Sequence, residues 1–226
     1  MPAPHKIMIR YTTGTASAFN SLTSTHPSVR SRAKRIIDIC GALVGLTALL
    51  ILLIPVSFLI FIDNPGPIFF RQTRVGLYGK PFKIWKFRSM VVNAEQMKHL
   101  VENQIRGPLF KNKQDPRTTK VGRWLRRTSL DEFPQFWNVL CGDMSLVGTR
   151  PPTPDEVQQY CPSHWQRLYV KPGLTGEWQV KGRSRIQDFD EVIQLDLAYQ
   201  EKWSLLYDIS LIVETIFTLL SKHNAF

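Results

Sequence analysis

Residues Ile36 to Ile62 form an almost unbroken apolar run whose only charge is Asp38, long enough to cross a bilayer. What flanks such a run decides how it lies. Upstream stand Arg30, Arg32, Lys34 and Arg35; downstream stand Arg71, Arg74, Lys80, Lys83, Lys86 and Arg88. Basic residues stay on the cytoplasmic side, so both flanks are expected there. Pro55 lacks a backbone donor and favours a kink or break at Ile54-Pro55. One broken helix that enters and leaves by the same face satisfies both observations. A plain single span with a tolerated proline is the alternative. Asp38, near the entry, is expected at headgroup depth with Arg35 as its partner.

Around this run the chain divides into three parts. Residues 1–29 are rich in Ser and Thr and lack periodicity, so disorder is expected. No apolar stretch near Met1 makes them a signal peptide. Residues 30–64 hold the re-entrant helix. Residues 65–226 are expected to fold as a cytoplasmic domain of helices and short strands, an α+β class. A chain of 226 residues allows one such domain plus extras. Its net charge of +11 implies an acidic partner: nucleic acid, anionic lipid or a phosphorylated substrate. Cys40, Cys141 and Cys161 have no metal-ligand spacing and read as reduced, structural thiols of a cytoplasm-facing chain. No phosphate loop, paired-glycine dinucleotide loop, zinc spacing or repeat is present.

Within the domain, Phe82 to Arg88 alternates as a half-buried strand does, its cations on one side. Ala94 to Ile105 reads as a short helix. From Arg106 to Arg127 eight cations face one acid, Asp115; this is a solvated face or a funnel for phosphate. Asp155 to Tyr160 and Asp190 to Tyr199 read as helices. Glu177 to Val180 reads as a strand framed by Pro172-Gly173-Leu174-Thr175-Gly176 and Lys181-Gly182-Arg183, whose glycines admit a ligand or merely turn the chain. Leu205 to Leu220 is expected to be an amphipathic helix lying on the membrane.

The cations lead into Ser129-Leu130-Asp131-Glu132-Phe133-Pro134-Gln135. Ser129 and Glu132 are spaced as a capping box, which places Asp131 and Glu132 in the first turn of a helix. Leu130, Phe133, Phe136, Trp137 and Leu140 recur as its apolar face. Capping alone accounts for both carboxylates. An ionised carboxylate beside several cations can also attack phosphorus, with cations and normally Mg²⁺ neutralising the charge. Adjacent helical residues project about 100° apart, so the two acids suit different tasks, one attacking and one holding metal. Arg150, between Thr149 and Pro151-Pro152, reads as a preorganised phosphate ligand.

From Arg35 onward the chain resembles the bacterial polyprenyl-phosphate sugar-1-phosphate transferases, the small monotopic phosphoglycosyl transferases. The resemblance rests on five runs: Gln72-Thr73-Arg74-Val75-Gly76, Phe82-Lys83-Ile84-Trp85-Lys86-Phe87, Ser129 to Gln135, Gly142-Asp143-Met144-Ser145-Leu146-Val147-Gly148, and Pro172-Gly173-Leu174-Thr175-Gly176. It implies a membrane enzyme on the cytoplasmic face of the bacterial inner membrane. A UDP-sugar would give its sugar phosphate to the protein and release UMP, and undecaprenyl phosphate would then collect it. Such a step begins the synthesis of exopolysaccharide, capsule, O-antigen or a related glycan. By the same resemblance Asp131 is the nucleophile, Glu132 the partner associated with Mg²⁺, Lys86 and Arg126 cations near the site, Arg150 the phosphate-contacting arginine, and Pro55 the helix break. The implied partners are UDP-sugar, undecaprenyl phosphate and membrane lipid, not nucleic acid; a homodimer is left open. Only residues 1–29 lie outside the match, too few for the multi-span region of longer members. Two residues depart from the pattern: Ile54 stands where many members have Ser, and Thr149 where many have Pro. The Thr149 form is similar to members that transfer glucose or galactose 1-phosphate.

Two rival functions are read from other features. Asp188-Phe189-Asp190 is the triplet that binds metal in many glycosyltransferases releasing a nucleoside diphosphate, although a helix N-terminus accounts for it more simply. A basic, non-enzymatic membrane adaptor would leave Asp131 silent and bind with steep salt dependence.

Overall fold

The computed structural model describes residues 25–181, 186 and 188–220. Of the segment expected to be disordered, residues 1–24 lie outside it, as do Gly182 and Arg183. Residues 27–30 form one helical turn, α1 (Pro27–Arg30), with His26 at its N-cap and His26 Nε2 3.0 Å from the Gln200 carbonyl.

The fold is α+β, with one long apolar helix, α2 (Arg32–Asp63), on a domain of short elements. Ser31 caps α2 by accepting a hydrogen bond from Lys34 N–H. Helical assignment continues through Pro55 to Asp63, so the interruption expected there does not end the helix. Proline removes one hydrogen bond but leaves those on either side. Lys34, Asp38, Ala42, Gly45, Val56 and Ile60 are buried, a stripe at helical spacing that lies against the domain along the whole helix. Gly41 and Gly45 permit this approach: a Cβ on Gly45 would sit 2.4 Å from the Phe136 ring. The opposite face stays bare, with Val44, Leu50, Ile51 and Ile54 at least 70% exposed. Asp38 is not paired with Arg35. It is 3% exposed and accepts from Ser145 Oγ at 2.8 Å and Leu146 N–H at 2.9 Å. Arg35 turns instead to the Val139 and Leu140 carbonyls, both at 2.7 Å.

Strands β1 (Phe69–Val75) and β2 (Pro81–Phe87) pair antiparallel, from Phe69 opposite Phe87 to Val75 opposite Pro81. The strand is as expected, but its cations do not share a face. Lys83 and Lys86 are three residues apart, and a period of two sends them to opposite sides. Lys83 Nζ meets Thr73 Oγ1 at 2.6 Å, whereas Lys86 turns towards residues 130–135.

Residues 94–105 are turns with one short 3₁₀ stretch, Lys98–Leu100, and not the expected helix. The segment ties down its polar groups locally instead, as where Asn103 Nδ2 bonds the Leu109 carbonyl at 2.9 Å. Helix α3 (Lys120–Thr128) follows, with Thr119 as its side-chain cap. It ends at Ser129, which has φ 55° and whose N–H bonds the Arg126 and Leu125 carbonyls. Ser129 therefore closes one helix and makes no side-chain cap bond to the next, and the expected capping box is absent. Leu130–Gln135 is a 3₁₀ stretch, and α4 (Phe136–Cys141) begins only after Pro134. The apolar residues consequently scatter: Leu130 joins the Phe87–Leu125 core, Leu140 another, and Trp137 is exposed.

Strand β3 (Ser145–Val147) pairs in parallel with β4 (Gly173–Thr175). Between them lies α5 (Pro154–Gln158), and after them α6 (Glu177–Lys181), helical where a strand was expected. The strand lies one turn earlier because Gly148 and Gly173 let two backbones touch. A Cβ on Gly173 would stand 2.1 Å from Gly148 N. These glycines serve close packing of chain on chain. Helices α7 (Phe189–Lys202) and α8 (Leu205–Leu220) complete the fold. Asp188 is the N-cap of α7, bonding Asp190 N–H at 2.9 Å. On α8, Asp208 and Leu211 are buried while Leu206, Ile216 and Phe217 are exposed, so its outer face is apolar. The three cysteines are free and exposed, so they are not core residues.

Candidate functional site

Asp131 and Glu132 sit in the 3₁₀ stretch that packs against β2. The left-handed turn at Ser129 folds this stretch back along α3. That reversal brings Arg126, in the last turn of α3, next to Asp131. Asp131 is buried, at 6% exposure. Glu132 Oε1 lies 2.7 Å from Lys86 Nζ. These two side chains are 32% and 24% exposed, so the pair adds about 0–1 kcal/mol to stability and chiefly fixes position.

Arg126 has no carboxylate within ion-pair reach among the described residues. Its Nε donates to Ser89 Oγ at 3.0 Å and its Nη1 to Thr118 Oγ1 at 3.2 Å. Burial lowers its pKa, while the charges of Asp131, Asp115 and Glu132 oppose that shift. Close packing of α3 supports this placement, since a Cβ on Gly122 would stand 1.9 Å from the Ser89 carbonyl oxygen. Of the cations that precede Asp131, Arg126 feels the charges of both acids. Arg117 is committed to Asp115 at 2.7 Å, and Lys113, Lys120, Arg123 and Arg127 are exposed.

Arg150 enters from the loop after β3. Its Nη1 is 3.0 Å from Glu156 Oε2, and its carbonyl receives Arg167 Nη2 at 3.2 Å. Pro151 and Pro152 clamp the loop onto β1, where Arg74 Nη1 donates to the Pro151 carbonyl and Val75 N–H to that of Pro152, both at 2.9 Å. Glu156 also closes a capping box with Thr153. Burial pushes the Glu156 pKa up, but the Arg150 and Arg74 charges outweigh it, leaving the carboxyl below its usual value. Arg167 is itself held by Asp196 at 2.5 Å and Tyr160 at 2.8 Å.

The structure thus brings Glu132 and Lys86 together, with Asp131 adjoining Glu132 and its charge acting on Arg126, and ties the Arg150 loop to Arg74. Pro55 lies on α2 next to Val56, which packs in one core with Phe87, Leu125 and Leu130, the neighbours of Lys86, Arg126 and Asp131. Two participants escaped the sequence-based selection. Arg74 shares the β1–β2 face of Lys86, which only strand register reveals. Glu156 was legible in Thr153-Pro154-Asp155-Glu156, a capping-box spacing. Among the described residues no group of three or more His, Cys, Asp or Glu could hold a metal ion. The adjacent carboxylates still fit Mg²⁺, which binds through one or two carboxylates plus substrate phosphates rather than an all-protein cage. Asp188 and Asp190 offer less: the first caps α7 and the second meets His164 at 3.1 Å.

A model of the bacterial sugar transferase family matches residues 29–222. The chain belongs to the bacterial sugar transferase family. It is 52% identical over 188 residues to the galactosyl transferase CpsE of Streptococcus agalactiae serotype III, covering 81% of this chain and 41% of that protein. It is 44% identical to the undecaprenyl-phosphate galactose phosphotransferase of Salmonella typhimurium, over 71% of this chain and 35% of the relative. It is 39% identical to the UDP-glucose:undecaprenyl-phosphate glucose-1-phosphate transferase of Escherichia coli K12, over 83% and 41%. The family member described here therefore spans about two fifths or less of these relatives' lengths.

Proposed function

We propose that this sugar transferase moves a hexose 1-phosphate from a UDP-sugar to undecaprenyl phosphate through a covalent intermediate on Asp131. The observation that carries the proposal is the buried Asp131 carboxylate beside Arg126, with Glu132 fixed next to it by Lys86. A carboxylate oxygen of Asp131 attacks the sugar-side phosphorus; the bond from that phosphorus to the bridging oxygen breaks, and UMP leaves with the electron pair. A phosphate oxygen of the lipid then attacks the same phosphorus, frees the Asp131 carboxylate and carries off the sugar phosphate as a diphosphate. Arg126 and Lys86 offset the charge gathered there, since loose phosphoryl transition states are stabilised mainly by positioning and electrostatics. Mg²⁺, held by Glu132 and donor phosphate oxygens, would supply further neutralisation. The names of the relatives support galactose or glucose as the sugar.

Membrane placement follows the same logic. Helix α2 is long and apolar enough to cross a membrane. Its start bonds the domain through Lys34 and Asp38, and its end through Asp63, which accepts from Val121 N–H at 2.8 Å. A plain span would carry one end about 30 Å away across the hydrocarbon. We therefore infer entry and exit at one face, the cytoplasmic face of the inner membrane, with the exposed sides of α2 and α8 in lipid.

The test is product analysis with UDP-galactose, UDP-glucose and undecaprenyl phosphate. UMP is the expected nucleotide product; UDP release would overturn the reaction and favour a glycosyltransferase.

A further inference from the structure

Arg74 is a cation for which the reaction above has no task. It lies on β1 opposite Phe82, on the strand face that also carries Lys86. Its Nη1 donates to the Pro151 carbonyl, yet its Nε is buried and has no hydrogen-bond partner among the described residues. It makes no ion pair with a described carboxylate. Burial pushes its pKa down to about 10, and the neighbouring Arg150 charge pushes the same way. The charges of Glu156, Glu95 and Glu132 oppose this, and the bond to the Pro151 carbonyl holds Arg74 against the Arg150 loop.

A guanidinium held against the loop that carries another, with one buried N–H orphaned, is an unfavourable arrangement in a folded chain. An anion with several oxygens relieves both the repulsion and the missing hydrogen bond, and guanidinium groups bind phosphate in a forked geometry. The donor carries two phosphates. The sugar-side one must sit at Asp131, where Arg126 and Lys86 stand. We propose that Arg74 and Arg150 together bind the nucleotide-side phosphate, the one that leaves as UMP, and that Arg74 Nε–H is one of its donors. This subsite rests on the transferase reading above. It also gives the rigid Pro151-Pro152 clamp a purpose, because the clamp fixes both guanidinium groups on one frame.

The experiment is calorimetric titration of UMP and uridine into the full chain in detergent micelles, for the parent, Arg74→Gln and Arg74→Lys. Thermal midpoints establish that each variant is folded. Arg74→Gln is expected to weaken UMP about tenfold to a hundredfold, the worth of a charge-assisted hydrogen bond, while uridine affinity stays unchanged. Arg74→Lys keeps the charge but not the fork, and its loss should be intermediate. In turnover, the donor KM should rise while the KM for undecaprenyl phosphate stays level. Equal losses of UMP and uridine, or a rise confined to the lipid KM, would overturn the subsite. If Arg74→Gln unfolds, the folded Arg74→Lys protein decides: undiminished UMP affinity there refutes the proposal. A parent chain that binds no UMP and no UDP-sugar sinks the transferase reading itself, whereas an active parent matched by an unaffected Arg74→Gln sinks the subsite alone.

Discussion

Lys34 Nζ lies 2.6 Å from Asp208 Oδ2, with the side chains 7% and 3% exposed, and this pair ties the long apolar helix α2 to α8. The ion pair is fully furnished. Lys34 also bonds the Val147 carbonyl at 3.0 Å, and Asp208 receives Tyr199 Oη at 2.8 Å and Trp203 Nε1 at 3.1 Å. Removing one partner leaves a buried charge without compensation. Lys34→Met should destabilise the protein by about 3–5 kcal/mol, read from thermal denaturation in micelles. Adding Asp208→Leu to it should recover part of that loss, and strict additivity of the two would contradict a coupled pair.

The approach of α2 to the domain depends on Gly45 and Phe136. Gly45→Ala should cost about 1–3 kcal/mol through overpacking against the ring. Phe136→Leu, introduced with it, should return part of the stability. A Gly45→Ala protein as stable as the parent would mean that the ring moves aside freely.

At the site, Asp131→Asn should lower UMP release by at least about a thousandfold, the scale for loss of a nucleophile. Retained turnover refutes the covalent role. Glu132→Ala should lower the rate and raise the Mg²⁺ concentration needed for half-maximal activity, and chelation should stop the parent reaction. An unaltered Mg²⁺ profile in Glu132→Ala removes Glu132 from metal binding.

The Glu156 carboxyl is held below its usual value by Arg150 and Arg74, against the opposing effect of burial. A depressed carboxylate contributes stability that is complete above its unfolded value of 4.5 and is lost as pH falls through the folded value. The thermal midpoint should therefore drop as pH falls below 4.5. Glu156→Gln should show a smaller drop over that range and a lower midpoint at pH 7. Parallel curves would assign the acid sensitivity to other carboxylates.

Topology is tested with single cysteines in a chain whose exposed Cys40, Cys141 and Cys161 have been replaced. Pro27→Cys and Lys80→Cys flank α2 on exposed positions. Both should react with an impermeant maleimide from the same side of inverted vesicles. Reaction from opposite sides would establish a plain span.

The long helix, the β2 strand, the two closing helices and the short α5 were legible in the sequence. Each rests on local order: an apolar run, a period of two, a 3.6-residue stripe, or a motif of neighbouring residues. Misreadings occurred where one local pattern fits two geometries. Ser129-x-x-Glu132 has capping-box spacing, but the preceding α3 uses Ser129 in a left-handed turn, and Pro134 delays the next helix. Residues 177–180 alternate like a strand, yet the backbone contact of Gly148 with Gly173 places the strand earlier and leaves Glu177–Lys181 to close as a helix.

By itself the sequence determined what the chain carries, an apolar run along α2 and a concentration of cations ahead of Asp131, because residue type alone sets hydrophobicity and charge. Tertiary structure decided which charges are used. It sent Lys83 away from Lys86, spent Arg117 on Asp115 and Lys34 on Asp208, and bound Arg74 to the carbonyl of Pro151, next to Arg150. Strand register and burial govern those pairings. They join residues up to 174 positions apart, a separation over which neither periodicity nor motif spacing carries information.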